Sequence, residues 1–178
     1  MRTLHIHDKD FIPYLSQVEI EAAIKKLALT LSKDYVDESP LFISILNGSF
    51  MFAAELFKHI NISCEICFIK LASYKGTTSS GHIITSIGLD TEVKNKHVII
   101  LEDILDTGKT LSQFLPQIQN QQPKSLKIAA MLHKPDAKKY DVQLDYNCFK
   151  IPDKFVVGFG LDYNGLGRNI PAIYQLKE

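Results

Sequence analysis

The sequence predicts an α/β fold: a mainly parallel, twisted sheet flanked by helices. Three observations lead there. Leu41 to Leu46 and Val98 to Leu101 are apolar runs with the make-up of strands buried on both faces, and Ser125 to Leu132 reads as a further strand. Segments of helical period separate them, and strands alternating with helices favour parallel pairing. A chain of 178 residues is long enough for one domain with a substantial core.

Taken in order, Ser16-Gln-Val-Glu19 is a capping box ahead of an apolar stripe, Ile20, Ile24, Leu27 and Leu31, which predicts a helix to about Lys33. Leu41 to Leu46 is a strand, and Asn47-Gly48-Ser49 is a turn. Phe50 to Ile60 is a second helix, Cys64 to Ser73 a strand, and His82 to Ile87 a return strand after the polar tract Lys75 to Gly81. Val98 to Leu101 leads into a helix containing Pro116, which either kinks it or marks a one-turn offset in its start. Ser125 to Leu132 and Phe155 to Phe159 complete the strands. In such sheets ligands sit beyond the carboxyl ends of strands, so the loops at Asn47, Asp103, His133 and Gly160 are the ones to converge.

Charge is balanced, with 20 Lys and Arg against 20 Asp and Glu, leaving no global field to draw nucleic acid or an anionic membrane. No apolar run approaches bilayer length, and Met1-Arg-Thr-Leu-His-Ile-His lacks a signal-peptide core, so a cytoplasmic protein is expected. Cys64 and Cys67 form a C-x-x-C, but in a strand residues three apart face opposite ways, and no second pair exists; a structural role is expected. His5 and His7 are read as exposed rather than metal-bound.

Chemistry concentrates in Val98-Ile-Ile-Leu-Glu-Asp-Ile-Leu-Asp-Thr-Gly-Lys-Thr-Leu111. An apolar strand ends in two carboxylates, Glu102 and Asp103. Asp106 then precedes Thr107-Gly108-Lys109-Thr110, a phosphate cradle opening a helix, with Gly108 permitting the tight turn. Acids beside an anion site suit a ligand carrying ribose hydroxyls or Mg²⁺ as well as phosphate. A Walker A loop requires a glycine five residues before Gly108, and Asp103 stands there, so that match fails.

This array resembles the signature for 5-phosphoribosyl-1-pyrophosphate (PRPP) in type I phosphoribosyltransferases. Further motifs follow in the family's order: Leu46-Asn-Gly-Ser49 in the place of the pyrophosphate loop, Ser73-Tyr74 at a mobile lid, Leu132-His-Lys-Pro135, and Ile151-Pro-Asp-Lys-Phe-Val-Val-Gly-Phe-Gly-Leu-Asp-Tyr-Asn164. The last closely resembles the purine-binding hood of hypoxanthine and hypoxanthine-guanine phosphoribosyltransferases. The likeness runs from about Ser16 to Pro171.

The resemblance implies a single domain over 1–178, with a core of about 16–150 and a small hood from about 1–15 and 151–178. It implies Mg²⁺-dependent transfer of 5-phosphoribosyl from PRPP to a 6-oxopurine in purine salvage, giving IMP from hypoxanthine or GMP from guanine, plus pyrophosphate. Asp106 is the candidate general base for the ring proton, its plainer alternative being an N-cap. Glu102, Asp103, Asp106, Thr107, Gly108, Lys109 and Thr110 are implied to bind PRPP, and Asn47, Gly48 and Arg168 the pyrophosphate. Lys134, Phe155 and Val156 are implied to bind the purine: an amine for the six-position oxygen, a stacking ring and a backbone carbonyl. Phe155 is equally readable as a core strand residue. Glu102, Asp103 and Asp162 are implied to serve the metal. One departure stands out: many relatives carry Lys where this chain has Asn47, which brings no charge.

A PRPP-sensing regulator of the same fold is the first competing reading, but it is expected to add a basic face and to lose base-site residues. A xanthine phosphoribosyltransferase is another. The choice among hypoxanthine, guanine and xanthine stays open on sequence, as does homodimer against homotetramer. No nucleic-acid or membrane partner is expected.

Overall fold

A computed structural model describes residues 2–73, 83–87 and 89–178. Two sheets organise the described residues. The larger takes strands β3 (Leu41–Leu46), β4 (Glu65–Ser73), β5 (Ile83–Ile87), β6 (His97–Leu105), β7 (Ser125–His133) and β8 (Tyr146–Lys150). Its order is β5-β4-β3-β6-β7-β8, parallel throughout except for antiparallel β4 and β5. The smaller combines both ends of the chain: β1 (Leu4–Ile6), β2 (Lys9–Leu15), β9 (Val156–Val157) and β10 (Ile173–Leu176), ordered β1-β2-β10-β9.

The helices cover opposite faces, as the strand alternation dictates. Helices α1 (Gln17–Asp34) and α2 (Phe50–Phe57) lie on the face carrying Phe42, Ile99, Leu101, Ala129 and Met131. Helix α3 (Lys109–Gln119) lies on the other, against Leu41, Ile43, Val98, Ile100 and Ile128. Helix α1 starts at the expected capping box: Ser16 N–H donates to Glu19 Oε2 at 2.8 Å, and Glu19 N–H to Ser16 Oγ at 3.3 Å. A third apolar cluster, with Phe11, Val157, Ala172 and Ile6, holds the small sheet together.

Several boundaries differ from expectation. Helix α2 ends at Phe57 rather than Ile60. The expected strand over Phe155 to Phe159 is only Val156–Val157, because Gly158 and Gly160 take φ +102° and +99° and Phe159 φ +45°, which break the ladder. Pro116 lies inside α3, so the helix does not start a turn later to avoid it. The cysteines are free, and Cys64 precedes β4 rather than lying in it.

Candidate active site

Strands β3, β6 and β7 are parallel neighbours, so the loops leaving their carboxyl ends share one edge of the sheet. The Lys134 N–H donates to the Leu105 carbonyl at 2.9 Å, tying two of those loops together.

The acid pair lies inside β6, not at its end: the strand continues through Ile104 to Leu105. That placement sends the two carboxylates to opposite faces. Glu102 lines a cavity of about 70 Å³ with Asp106 and the residues from Thr107 to Leu111. Its Oε2 is buried and has no hydrogen-bond partner among the described residues. Burial, then the charge of Asp103, pushes its carboxyl well above the usual carboxylate range. Asp103 faces the β3 loop, where a Cβ added to Gly48 would sit 1.4 Å from its Oδ2; only glycine lets the carboxylate lie there. Burial raises Asp103 to about 6, against the lowering effect of nearby backbone amides and the Arg168 charge. The Ile104 N–H donates to its Oδ1 at 2.8 Å.

An unpartnered buried carboxylate oxygen beside a second raised acid is short of positive charge, so the donor set fits a divalent cation. Among the described residues no group of three His, Cys, Asp or Glu side chains is spaced to hold an ion alone. A cation here would share carboxylates with ligand oxygens.

The cradle differs from expectation in one respect. Gly108, at φ +82°, occupies the N-cap position of α3, so Asp106 lies two residues upstream and is not the cap. Among the described residues no side chain caps the helix, although the Lys109 N–H reaches Thr107 Oγ1 at 3.3 Å. An uncapped helix start with orphan amides suits an anion. The Thr107 carbonyl accepts from the Lys139 and Tyr140 N–H groups at 3.0 and 3.1 Å, fixing the loop from behind. Lys109 and Thr110 are exposed.

The peptide between Leu46 and Asn47 is cis, Asn47 is exposed and Gly48 is buried. Behind Gly48 comes the C-terminal segment: a Cβ on Gly160 would sit 2.0 Å from the Gly48 carbonyl oxygen. Gly48 is thus sandwiched between Asp103 and Gly160. Arg168 donates from Nη1 to the Gly160 carbonyl at 2.7 Å, while its Nη2 pairs with Asp162 Oδ1 at 2.6 Å. Asp162 Oδ2 accepts from the Gly165 N–H at 2.7 Å, so both residues are held rigidly.

On the other side, Lys134 is 6% exposed, and its Nζ reaches Asp106 Oδ2 at 3.4 Å and Asp153 Oδ1 at 3.2 Å. Phe155 is 46% exposed, so it is not a core residue; its ring meets Tyr163 edge-on at 5.8 Å. The Leu176 N–H donates to the Phe155 carbonyl at 2.9 Å, while Gln175 pairs with Val156. In an antiparallel ladder that makes Val156 and Gln175 a pair whose backbone groups face apart. The Val156 carbonyl therefore points off β9, the open edge of its sheet.

Sequence reasoning passed over Asp153 and used Gly160 only to mark a loop. The signal for Gly160 was available in Gly158-Phe-Gly160; an exposed acid in a Pro-Asp turn carries none. The lid expectation divides: Ser73 is the last residue of β4, and Tyr74 lies outside the described residues. A wider groove of about 540 Å³ runs between α3, β7 and the segment before β8, away from the acid pair and the cradle. The site is placed by its chemistry rather than by volume.

The phosphoribosyl transferase domain model matches residues 14–164. The hypoxanthine-guanine phosphoribosyltransferase of Streptococcus mutans is 43% identical over 164 residues, covering 92% of this chain and 91% of that protein. The protein of the same name from Streptococcus pneumoniae is 44% identical over 165 residues, covering 92% of each. Among solved structures, a hypoxanthine phosphoribosyltransferase from Staphylococcus aureus superposes with a TM-score of 0.88 at 40% identity, covering 93% of this chain and 91% of that one. A Trypanosoma cruzi hypoxanthine phosphoribosyl transferase gives a TM-score of 0.88 at 30% identity, covering 98% and 95%.

Proposed function

The chain belongs to the phosphoribosyltransferase family, and from that premise we propose that it transfers the 5-phosphoribosyl group of PRPP to hypoxanthine or guanine, releasing pyrophosphate. The observation that carries the reading is the buried Lys134 ammonium 3.4 Å from Asp106, between the phosphate cradle and the open edge of β9. A 6-oxopurine offers this pair an acceptor at the six-position and an acidic ring N–H.

In this reading the uncapped start of α3 takes the ribose 5-phosphate through its amides and the hydroxyls of Thr107 and Thr110. Glu102 and Asp103 hold ribose hydroxyls. Through those hydroxyls Glu102 and Asp103 would serve a Mg²⁺ indirectly, Asp162 would help hold a second one on the pyrophosphate side, and the metal would supply positive charge to the phosphate oxygens. Gly48 lets backbone approach the pyrophosphate, and Arg168 supplies charge there; Asn47 contributes a neutral donor. Asp106 takes the ring proton as the glycosidic bond forms. Lys134 donates to the six-position oxygen and stabilises negative charge on the deprotonated base. Phe155 stacks on the ring, and the Val156 carbonyl accepts from its edge. Ser73 and Tyr74 open the lid tract that excludes water. The hood is the small sheet of chain ends, and the core is the remainder.

Among the described residues no helix is long and apolar enough to cross a membrane. A cytoplasmic homodimer or homotetramer completes the reading, and light scattering tests the assembly. The function itself is tested by competition among hypoxanthine, guanine, xanthine and adenine with PRPP and Mg²⁺ in one spectrophotometric assay. Hypoxanthine or guanine should dominate, and a preference for xanthine or adenine would overturn the assignment.

A further inference from the structure

Asp153 has no part in the chemistry above, yet its carboxylate is nearer to Lys134 Nζ than that of Asp106, at 3.2 against 3.4 Å. Its turn is fixed against β7: the Ile151 N–H donates to the His133 carbonyl at 2.8 Å, and the Lys154 N–H to the Pro152 carbonyl at 2.8 Å. Both Lys134 contacts exceed the roughly 2.7–2.9 Å of a strong charge-assisted bond. The ammonium is therefore shared, pulled from two sides, with one of its three donors left for a further acceptor.

Resting on the proposed function, we propose that Asp153 is a positioning residue for purine recognition, holding the Lys134 ammonium at the base site and keeping it from closing onto Asp106. Without Asp153 the ammonium has a single carboxylate partner. It closes on Asp106, and the tightened ion pair occupies the carboxylate oxygen that has to face the ring N–H. The same movement withdraws the donor from the six-position oxygen. One substitution thus damages both base recognition and proton acceptance, through a residue that touches neither substrate.

The test is a double-mutant cycle of Asp153→Asn and Lys134→Gln, read by steady-state kinetics with hypoxanthine and PRPP, with Asp153→Glu as the conservative variant. Asp153→Asn should lose about tenfold in kcat/KM for the base, through a lower kcat and a higher base KM, with the PRPP KM unchanged. In the Lys134→Gln background the same change should cost less than about twofold, since the group it positions is gone. Asp153→Glu should recover most of the loss. Wild-type kinetics for Asp153→Asn, or an equal loss in both backgrounds, overturns the inference while wild-type turnover leaves the functional reading standing. No turnover by the wild type with any purine overturns the reading, and this inference with it.

Discussion

Asp103→Asn should stabilise the ligand-free protein at neutral pH while disabling the site. Asp103 titrates at about 6 in the fold against an ordinary 3.8, chiefly because it is buried. At about 1.4 kcal/mol per unit, keeping it ionised at neutral pH costs about 3 kcal/mol. For a chain of this size that corresponds to roughly 6–12 °C in Tm. The amide keeps the acceptor that the Ile104 N–H uses and fits beside Gly48, because it has the shape of the acid. The sign follows from linkage. Between about pH 4 and 6 the native state holds more protons on this group than the unfolded chain does, so this group's contribution to stability falls as pH rises. The gain of the variant over wild type should grow across that window, level off above it and vanish below about pH 3.8. Thermal denaturation of both proteins at half-unit intervals from pH 4 to 8 measures the difference. A variant less stable at pH 7.5, or a gain independent of pH, would refute the reasoning that the acid is held ionised at a cost until ligand and cation arrive.

Asp106→Asn should reduce turnover by ~10²–10⁴, the usual range for a positioned base, with PRPP affinity by calorimetry kept within about tenfold because the phosphate rests on backbone amides. Lys134→Gln should raise the KM for hypoxanthine and narrow the discrimination against adenine, measured by kinetics with both bases. Gly160→Ala forces a methyl to within 2.0 Å of the Gly48 carbonyl at a φ of +99°. It should lower Tm and shift the β3 loop; a crystal structure of the variant with that loop unmoved counts against the stacked arrangement.

Much of this is legible in the sequence because burial on both faces writes apolar runs: β3, the first half of β6 and the second half of β7 all announce themselves this way. The small sheet does not. β2 contains Pro13, tolerated next to the register shift between Ile173 and Tyr174, and its burial alternates weakly. β9 has two residues. The sequence suggests a strand end at Leu101 because paired acids look like a terminus; the ladder continues to Leu105 and carries them inside. Asp is a preferred cap residue, which makes Asp106 a candidate on sequence, yet Gly108 takes that position with a left-handed backbone. Contacts between distant segments were out of reach: neither Gly160 against Gly48 nor Asp153 against Lys134 has a local pattern, since both arise only when the C-terminal segment folds back over the sheet edge.

The most direct measurement is a product balance by anion-exchange chromatography after incubating the protein with PRPP and hypoxanthine, with and without Mg²⁺. Equal amounts of IMP and pyrophosphate should form with the metal. Chelation should abolish both while circular dichroism shows the fold intact, since no protein-only ion site holds the structure together among the described residues. Pyrophosphate released without nucleotide, or full turnover after chelation, would contradict the account.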